Sequence, residues 1–174
     1  MDFRYLKAEE IECRVATCNE KGVSLLVYKD ARVDANVLDE TVGCENWQCK
    51  FYEQKGTLFC SVGIVNPDTL EWTWKDDAGS PSNMEADKGE ASDAFKRACF
   101  KWGIGRELYT APFIWVPAER CNIRTGRNGK LACYDRFRVE KIEINNGRIK
   151  NVSIWNETTG KRAFVHLDKN GEAK

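Results

Sequence analysis

The densest chemistry in the sequence lies between Glu85 and Lys101. Glu85, Asp87, Glu90 and Asp93 fill its first part, and Lys96, Arg97 and Lys101 fill its second. Ammonium and guanidinium groups gathered on one side of a helix can follow the phosphates of a polyanion. The same cations near a helix C-terminus also offset its dipole, at about 0.3–1 kcal/mol each. The residues alone leave both roles open. Further bases lie near predicted strand and helix ends: Arg14, Lys29, Arg32, Lys88 and Arg106, with Tyr28 adding a ring beside Lys29. Lysine and arginine interleaved with aromatic rings form the combination that single-stranded nucleic acid requires, since bases stack on rings and guanidinium planes.

Other chemistry finds little to stand on. The sequence has no phosphate-loop motif, and Gly126-Arg-Asn-Gly-Lys-Leu is a poor imitation of one. Gly103-Ile-Gly105 has no strand before it and no further glycine fingerprint. The one histidine, His166, is far in sequence from the eight cysteines. Those cysteines lack the C-x-x-C spacing of a zinc site. They read as reduced thiols, and Cys49, Cys60 and Cys99 occupy apolar positions where cysteine acts as a small hydrophobe. Asp76-Asp77 reads as a solvated turn, with a metal-dependent nuclease as the alternative it would serve. No catalytic residue, metal or cofactor is expected.

The elements that must hold the bases follow from periodicity. Ser82 with Glu85 forms a capping box, and Gly103 is a helix stop. Between them Ala91, Ala94, Phe95, Ala98, Cys99 and Trp102 make one apolar stripe, with Arg97 and Lys101 across from it and Lys96 on its flank. Phe100 points away from the stripe, which predicts an exposed ring at a subunit interface. Upstream, residues 5–20 predict only a short helix, and Val23–Tyr28 predicts a strand. Asp30 caps a helix over Ala31–Val42 that Gly43 ends. Asn46–Glu53 then alternates, and the turns Lys55-Gly56 and Asn66-Pro-Asp68 lead into strands over Thr57–Val65 and Leu70–Lys75, a meander rich in tryptophan. Downstream come Phe113–Val116 and a mobile basic loop over 120–130, with four bases and no acid. Next is a hairpin, Phe137–Ile144 and Arg148–Trp155, around an Asn-Gly turn. Phe164–Leu167 adds a last strand. The fold class is α+β: an antiparallel meander packed on one long helix, with a C-terminal β-hairpin.

A chain of 174 residues suits one domain, 1–174, divided into a core (1–110) and an extension (111–174). Net charge is zero, but residues 1–80 hold nine bases against fifteen acids, and the remainder eighteen against twelve. A basic groove on a neutral protein is compatible with that asymmetry. No apolar run reaches membrane-spanning length and Met-Asp-Phe-Arg-Tyr-Leu lacks a signal peptide's apolar region, so a cytoplasmic protein without membrane contact is expected.

Ala91-Ser-Asp-Ala-Phe-Lys-Arg-Ala-Cys-Phe-Lys-Trp-Gly-Ile-Gly-Arg-Glu-Leu-Tyr109 resembles the hallmark helix of the Rad fifty-two family of recombination proteins, closest to its bacterial and phage Sak-type single-strand annealing members. Tyr28-Lys-Asp-Ala-Arg-Val33 and Gly43-Cys-Glu-Asn-Trp47 resemble the family's strand, short helix and approach to the meander, and Glu10–Arg14 is a weaker match. Together they cover about residues 10–110 in consistent order. The resemblance implies a β-β-β-α core that assembles into rings or helical filaments. Single-stranded DNA would lie in a basic groove and be annealed without nucleotide hydrolysis. A host single-strand-binding protein would be a further partner. By position, Arg14, Tyr28, Lys96 and Arg97 match groove residues, and Arg32 and Lys88 match more loosely. Where eukaryotic members carry another base this chain has Phe100, with Lys101 next to it as a substitute. The lysines of a second, outer DNA site have no clear equivalents. A protein that only coats single strands is the runner-up, and a nuclease ranks third.

Overall fold

The computed structural model describes residues 2–80, 86–126 and 128–168, with helix side chains from Gly89 onward. The Ser82–Glu85 capping box, the Lys88 side chain and Arg127 therefore lie outside the described residues. The protein is α+β, with antiparallel strand pairings and two α-helices among the described residues. None of these helices is long and apolar enough to cross a membrane. Two compact units divide the chain. One holds 1–4 and 30–105, and the other holds 5–29 and 106–174.

The second unit is built on a six-stranded sheet. Strands β1 (Glu12–Asn19) and β2 (Gly22–Tyr28) form its N-terminal hairpin. In the first unit, α1 (Ala31–Val42) runs into a three-stranded sheet of β3 (Trp47–Gln54), β4 (Thr57–Val65) and β5 (Trp72–Ala78), followed by α2 (Ala86–Trp102). The chain then returns to the second unit for β6 (Ile114–Pro117), the small ribbon β7 (Ile123–Thr125) and β8 (Leu131–Cys133), and β9 (Phe137–Asn145), β10 (Arg148–Asn156) and β11 (Lys161–Leu167). The large sheet runs β11-β10-β9-β1-β2-β6, so it draws strands from both sides of residue 110.

Local chemistry explains most boundaries. Asp30 accepts the Arg32 N–H at 2.8 Å as N-cap of α1, and Gly43 ends that helix at a φ of 85°. The β9–β10 turn places Asn146 and Gly147 at φ 49° and 72°, the left-handed pair that a tight hairpin requires. In the first unit, Cys60, Val62 and Ile64 of β4 are buried together with Ala94, Phe95, Ala98 and Cys99 of α2. That stripe is the one the sequence predicts. Trp102 fixes its end by donating its indole N–H to the Val62 carbonyl at 3.0 Å. In the second unit Ile114, Val116, Val139, Val152 and Ile154 form the centre of the core.

Several expectations are corrected. Residues 5–20 hold a single 3-10 turn, Ala8–Glu10, and then a full strand. A bulge at Ala16 shifts the register between Val15 and Thr17, which breaks the alternation that would have announced it. Asp76 and Asp77 belong to β5, not to a turn, and pair with Ser61 and Cys60. The basic segment is no structureless loop, since β7 and β8 pair across it. Phe100 is half-buried, so the exposed ring expected there is absent. Lys29 is buried. All eight cysteines are thiols, as expected, but Cys49 is exposed and not part of the core.

Candidate nucleic-acid interface

The basic half of α2 stands out from the core because its apolar stripe turns inward. Lys96 is half-buried on the flank, while Arg97 and Lys101 are exposed on the side away from Ala94 and Ala98. Their nearest charges come from β5. Arg97 Nη2 lies 3.4 Å from Asp77 Oδ1, and Lys101 Nζ lies 3.6 Å from Asp77 Oδ2 while donating to the Asp76 carbonyl oxygen. One carboxylate thus serves two cations. The Arg97 and Lys101 side chains remain 49% and 48% exposed, leaving room for a second anionic partner.

Helix-end stabilisation falls in part to another residue. Lys75 of β5 donates its ammonium to the Lys101 carbonyl at 3.0 Å and lies 4.3 Å from the centre of the Trp102 ring. A cation from β5 therefore meets a last-turn carbonyl of the helix. The described acids of the first half are also occupied. Glu90 accepts the Leu58 N–H at 3.3 Å and Asp93 accepts the Ser80 N–H at 3.0 Å. These carboxylates join α2 to backbone, and the bases project from its other half.

A second group forms at the start of α1. The Arg32 guanidinium donates to both oxygens of Asp30, at 2.9 and 3.3 Å. These bonds come first among the causes that hold the Asp30 carboxyl below its usual range, and the Lys96 charge adds to them. Arg32 is 89% exposed even so. In this unit the Asp30 carboxylate thus stands beside Arg32, with Lys96 adding to its field, and the Asp77 carboxylate beside Arg97 and Lys101.

Arg14 and Tyr28 belong to the other unit, where the β1–β2 register brings them together. Glu12 faces Tyr28 across the pair, Arg14 faces Leu26, and the Arg14 guanidinium carbon stands 5.8 Å from the Tyr28 ring centre. The Tyr28 hydroxyl is pushed up to about 12, first by its hydrogen bond to Glu12 and then by burial. It stays protonated and can donate at neutral pH. Tyr28 and Leu26 are exposed, so this is a strand face offering one cation and one ring.

The expected residues thus form two sets, Arg14 with Tyr28, and Arg32 with Lys96, Arg97 and Lys101. Of Lys88 the structure gives only its place near the start of α2. The residues that organise the second set, Asp77 and Lys75, carried no sequence signal, because only strand pairing brings β5 to the end of α2. Among the described residues no group of three or more His, Cys, Asp or Glu is arranged to hold a metal ion. No protein-family model, curated protein or solved structure matches this chain, so the resemblance to the Rad fifty-two family rests on the sequence motifs quoted above.

Proposed function

We propose that this chain is an ATP-independent single-stranded DNA-binding protein that anneals complementary strands in recombination and repair. The observation that carries the reading is the basic half of α2 with the start of α1, where Arg97, Lys101 and Arg32 stay about half or more exposed beside the Asp77 and Asp30 carboxylates and Lys96 is half-buried. Ammonium and guanidinium groups of this kind contact phosphates without reading sequence, which leaves bases available to a complementary strand. Arg14 and Tyr28 supply a second contact set, and Lys88 a further cation on the same helix. The fold reading that accompanies it is a β-β-β-α core assembled into a ring or filament. Strand β3, paired among the described residues with β4 alone and exposing Phe51 and Tyr52, supports self-association. The carboxylate of Asp77 faces two cations, which favours binding over the nuclease alternative.

The test is the double variant Lys96→Ala/Arg97→Ala. Loss of two phosphate contacts should reduce the slope of log K against log salt by about 1.4 for a single strand. It should also slow the pairing of complementary oligonucleotides, which the wild-type protein accelerates. Unchanged affinity in a folded variant removes the site. Wild-type protein that binds but retards pairing is a coating protein instead.

A further inference from the structure

The basic segment between β6 and β9 folds as a ribbon whose two faces differ. Ile123 pairs with Cys133 and Thr125 with Leu131 on one face, and Arg124 pairs with Ala132 on the other. Cys133 is buried and Arg124 is exposed, so the Arg124 face is the one turned to solvent. Tyr134 follows β8 on that side, and the Arg124 guanidinium carbon stands over its ring, 4.9 Å from the centre. The ring lies along the ribbon toward its tip, since a methyl on Gly126 would stand 3.2 Å from the Tyr134 hydroxyl. Tyr134 is 61% exposed even so. Arg120 and Lys130, just before β7 and β8, are exposed as well, and no acid occurs from Arg120 to Tyr134. What holds the ribbon lies at its base. Asp135 accepts the Asn122 N–H at 2.8 Å, the Asn122 side-chain amide at 3.0 Å and the Asn156 amide at 2.8 Å. Asn156, fully buried at the end of β10, also donates to the Arg120 carbonyl at 3.1 Å. These bonds fix the ribbon to the large sheet without the Arg124 or Tyr134 side chains, and they occupy the Asp135 carboxylate.

We infer that the β7–β8 ribbon is a base-stacking contact for single-stranded DNA, with Tyr134 as the platform and Arg124, Arg120 and Lys130 as the phosphate partners. The inference rests on the reading of this chain as a single-strand binder, and adds a place where a base is held as well as the backbone. The guanidinium covers one side of the ring and leaves the rest of it to solvent, where every base has a flat face to offer. Cations close to the ring then meet the phosphates on either side of that base. An acidic polypeptide would satisfy the cations alone and leave the ring without a partner, so a nucleic-acid strand fits the whole arrangement better. Stacking engages the face of a base and spares its pairing edge. A strand held in this way stays open to its complement.

The site is tested with the full chain, a short oligothymidylate and an abasic strand of the same length, which keeps the phosphates and lacks the bases. Tyr134→Ala should bind oligothymidylate about fivefold or more weakly, the loss of one stacked base, and should bind the abasic strand like wild type. Tyr134→Phe keeps the ring and should bind both strands like wild type. Arg124→Ala should weaken both and lower the salt slope by about 0.7, one phosphate contact on a single strand. A strand carrying iodouracil, irradiated on the wild-type protein, should link to the peptide that contains Tyr134. Tyr134→Ala that binds both strands like wild type, while Lys96→Ala/Arg97→Ala loses affinity, overturns the ribbon and leaves the single-strand reading standing. Wild-type protein that binds neither strand overturns both. Equal loss on the two strands in Tyr134→Ala, or a photolink confined to other peptides, overturns the stack.

Discussion

Asp77→Asn isolates the electrostatics of the basic helix face. The carboxylate lies 3.4 Å from Arg97 Nη2 and 3.6 Å from Lys101 Nζ. Asparagine keeps the Oδ1 acceptor that the Ala78 N–H uses. A phosphate held by either cation would stand one further ion-pair distance away, roughly 7 Å from the carboxylate. Two like charges at that separation repel by about 0.6 kcal/mol in bulk water and about 2.4 kcal/mol at an effective dielectric of 20. Salt at physiological strength, with a Debye length of about 8 Å, removes somewhat more than half of either value. The neutral variant should then bind a short oligonucleotide about two- to fivefold more tightly, and the gain should grow as salt is lowered. Folding should suffer little, because pairs with half-exposed partners contribute about 0.2–1 kcal/mol each. Fluorescence anisotropy at two salt concentrations, beside a thermal melt, measures both effects. Affinity that is unchanged or weaker in a folded Asp77→Asn protein would refute contact between these cations and phosphate.

Two further outcomes concern the scaffold. Arg162 grips both oxygens of Glu140 at 2.6 and 2.8 Å, and this pairing leads the causes that bring the carboxyl down to about 2. A depressed carboxylate stabilises the fold above its unfolded value, and that contribution is lost as pH falls toward about 2. The melting temperature of Glu140→Gln should therefore lie below wild type at pH 7 and meet it near pH 2, and equal values at pH 7 would show the pair to be inert. In Gly63→Ala the new methyl would stand 2.6 Å from the Trp74 ring. Overpacking of this kind costs about 1–3 kcal/mol, so a melt several degrees lower with shifted tryptophan emission is expected, and an unchanged melt means that the ring swings aside.

Sequence reading succeeded where a local signal set the structure. Asp30 and Gly43 bound α1, the turns Lys55-Gly56 and Asn66-Pro-Asp68 bracketed β4, and Asn146-Gly147 marked its hairpin, because capping and turn chemistry act within a few residues. It failed where partners come from afar. Nothing in Glu12–Asn19 announces a strand once Ala16 bulges, and its edges are satisfied by β2 and β9. Asp76-Asp77 has the composition of a turn until β4 supplies its ladder. The basic positions Lys96, Arg97 and Lys101 were legible on a helical wheel, but Asp77 beneath two of them was not. Cys49 has the alternation of a core residue, and only the edge position of β3 leaves it in solvent.

The interleaved course of the chain has a consequence for how it is made. β1 and β2 are synthesised early and can close as a hairpin at once, since their pairing is local. The free edge of β1 meets its other neighbour, β9, only when nearly the whole chain has been synthesised. Residues 30–105 form an uninterrupted segment and can acquire their core while that edge waits. Late closure of a long-range sheet is slow, and an open strand edge invites pairing with other chains. The charged, bulged sequence of β1, with Glu12 and Arg14 outward and Ala16 out of register, makes that waiting edge a poor template for mispairing.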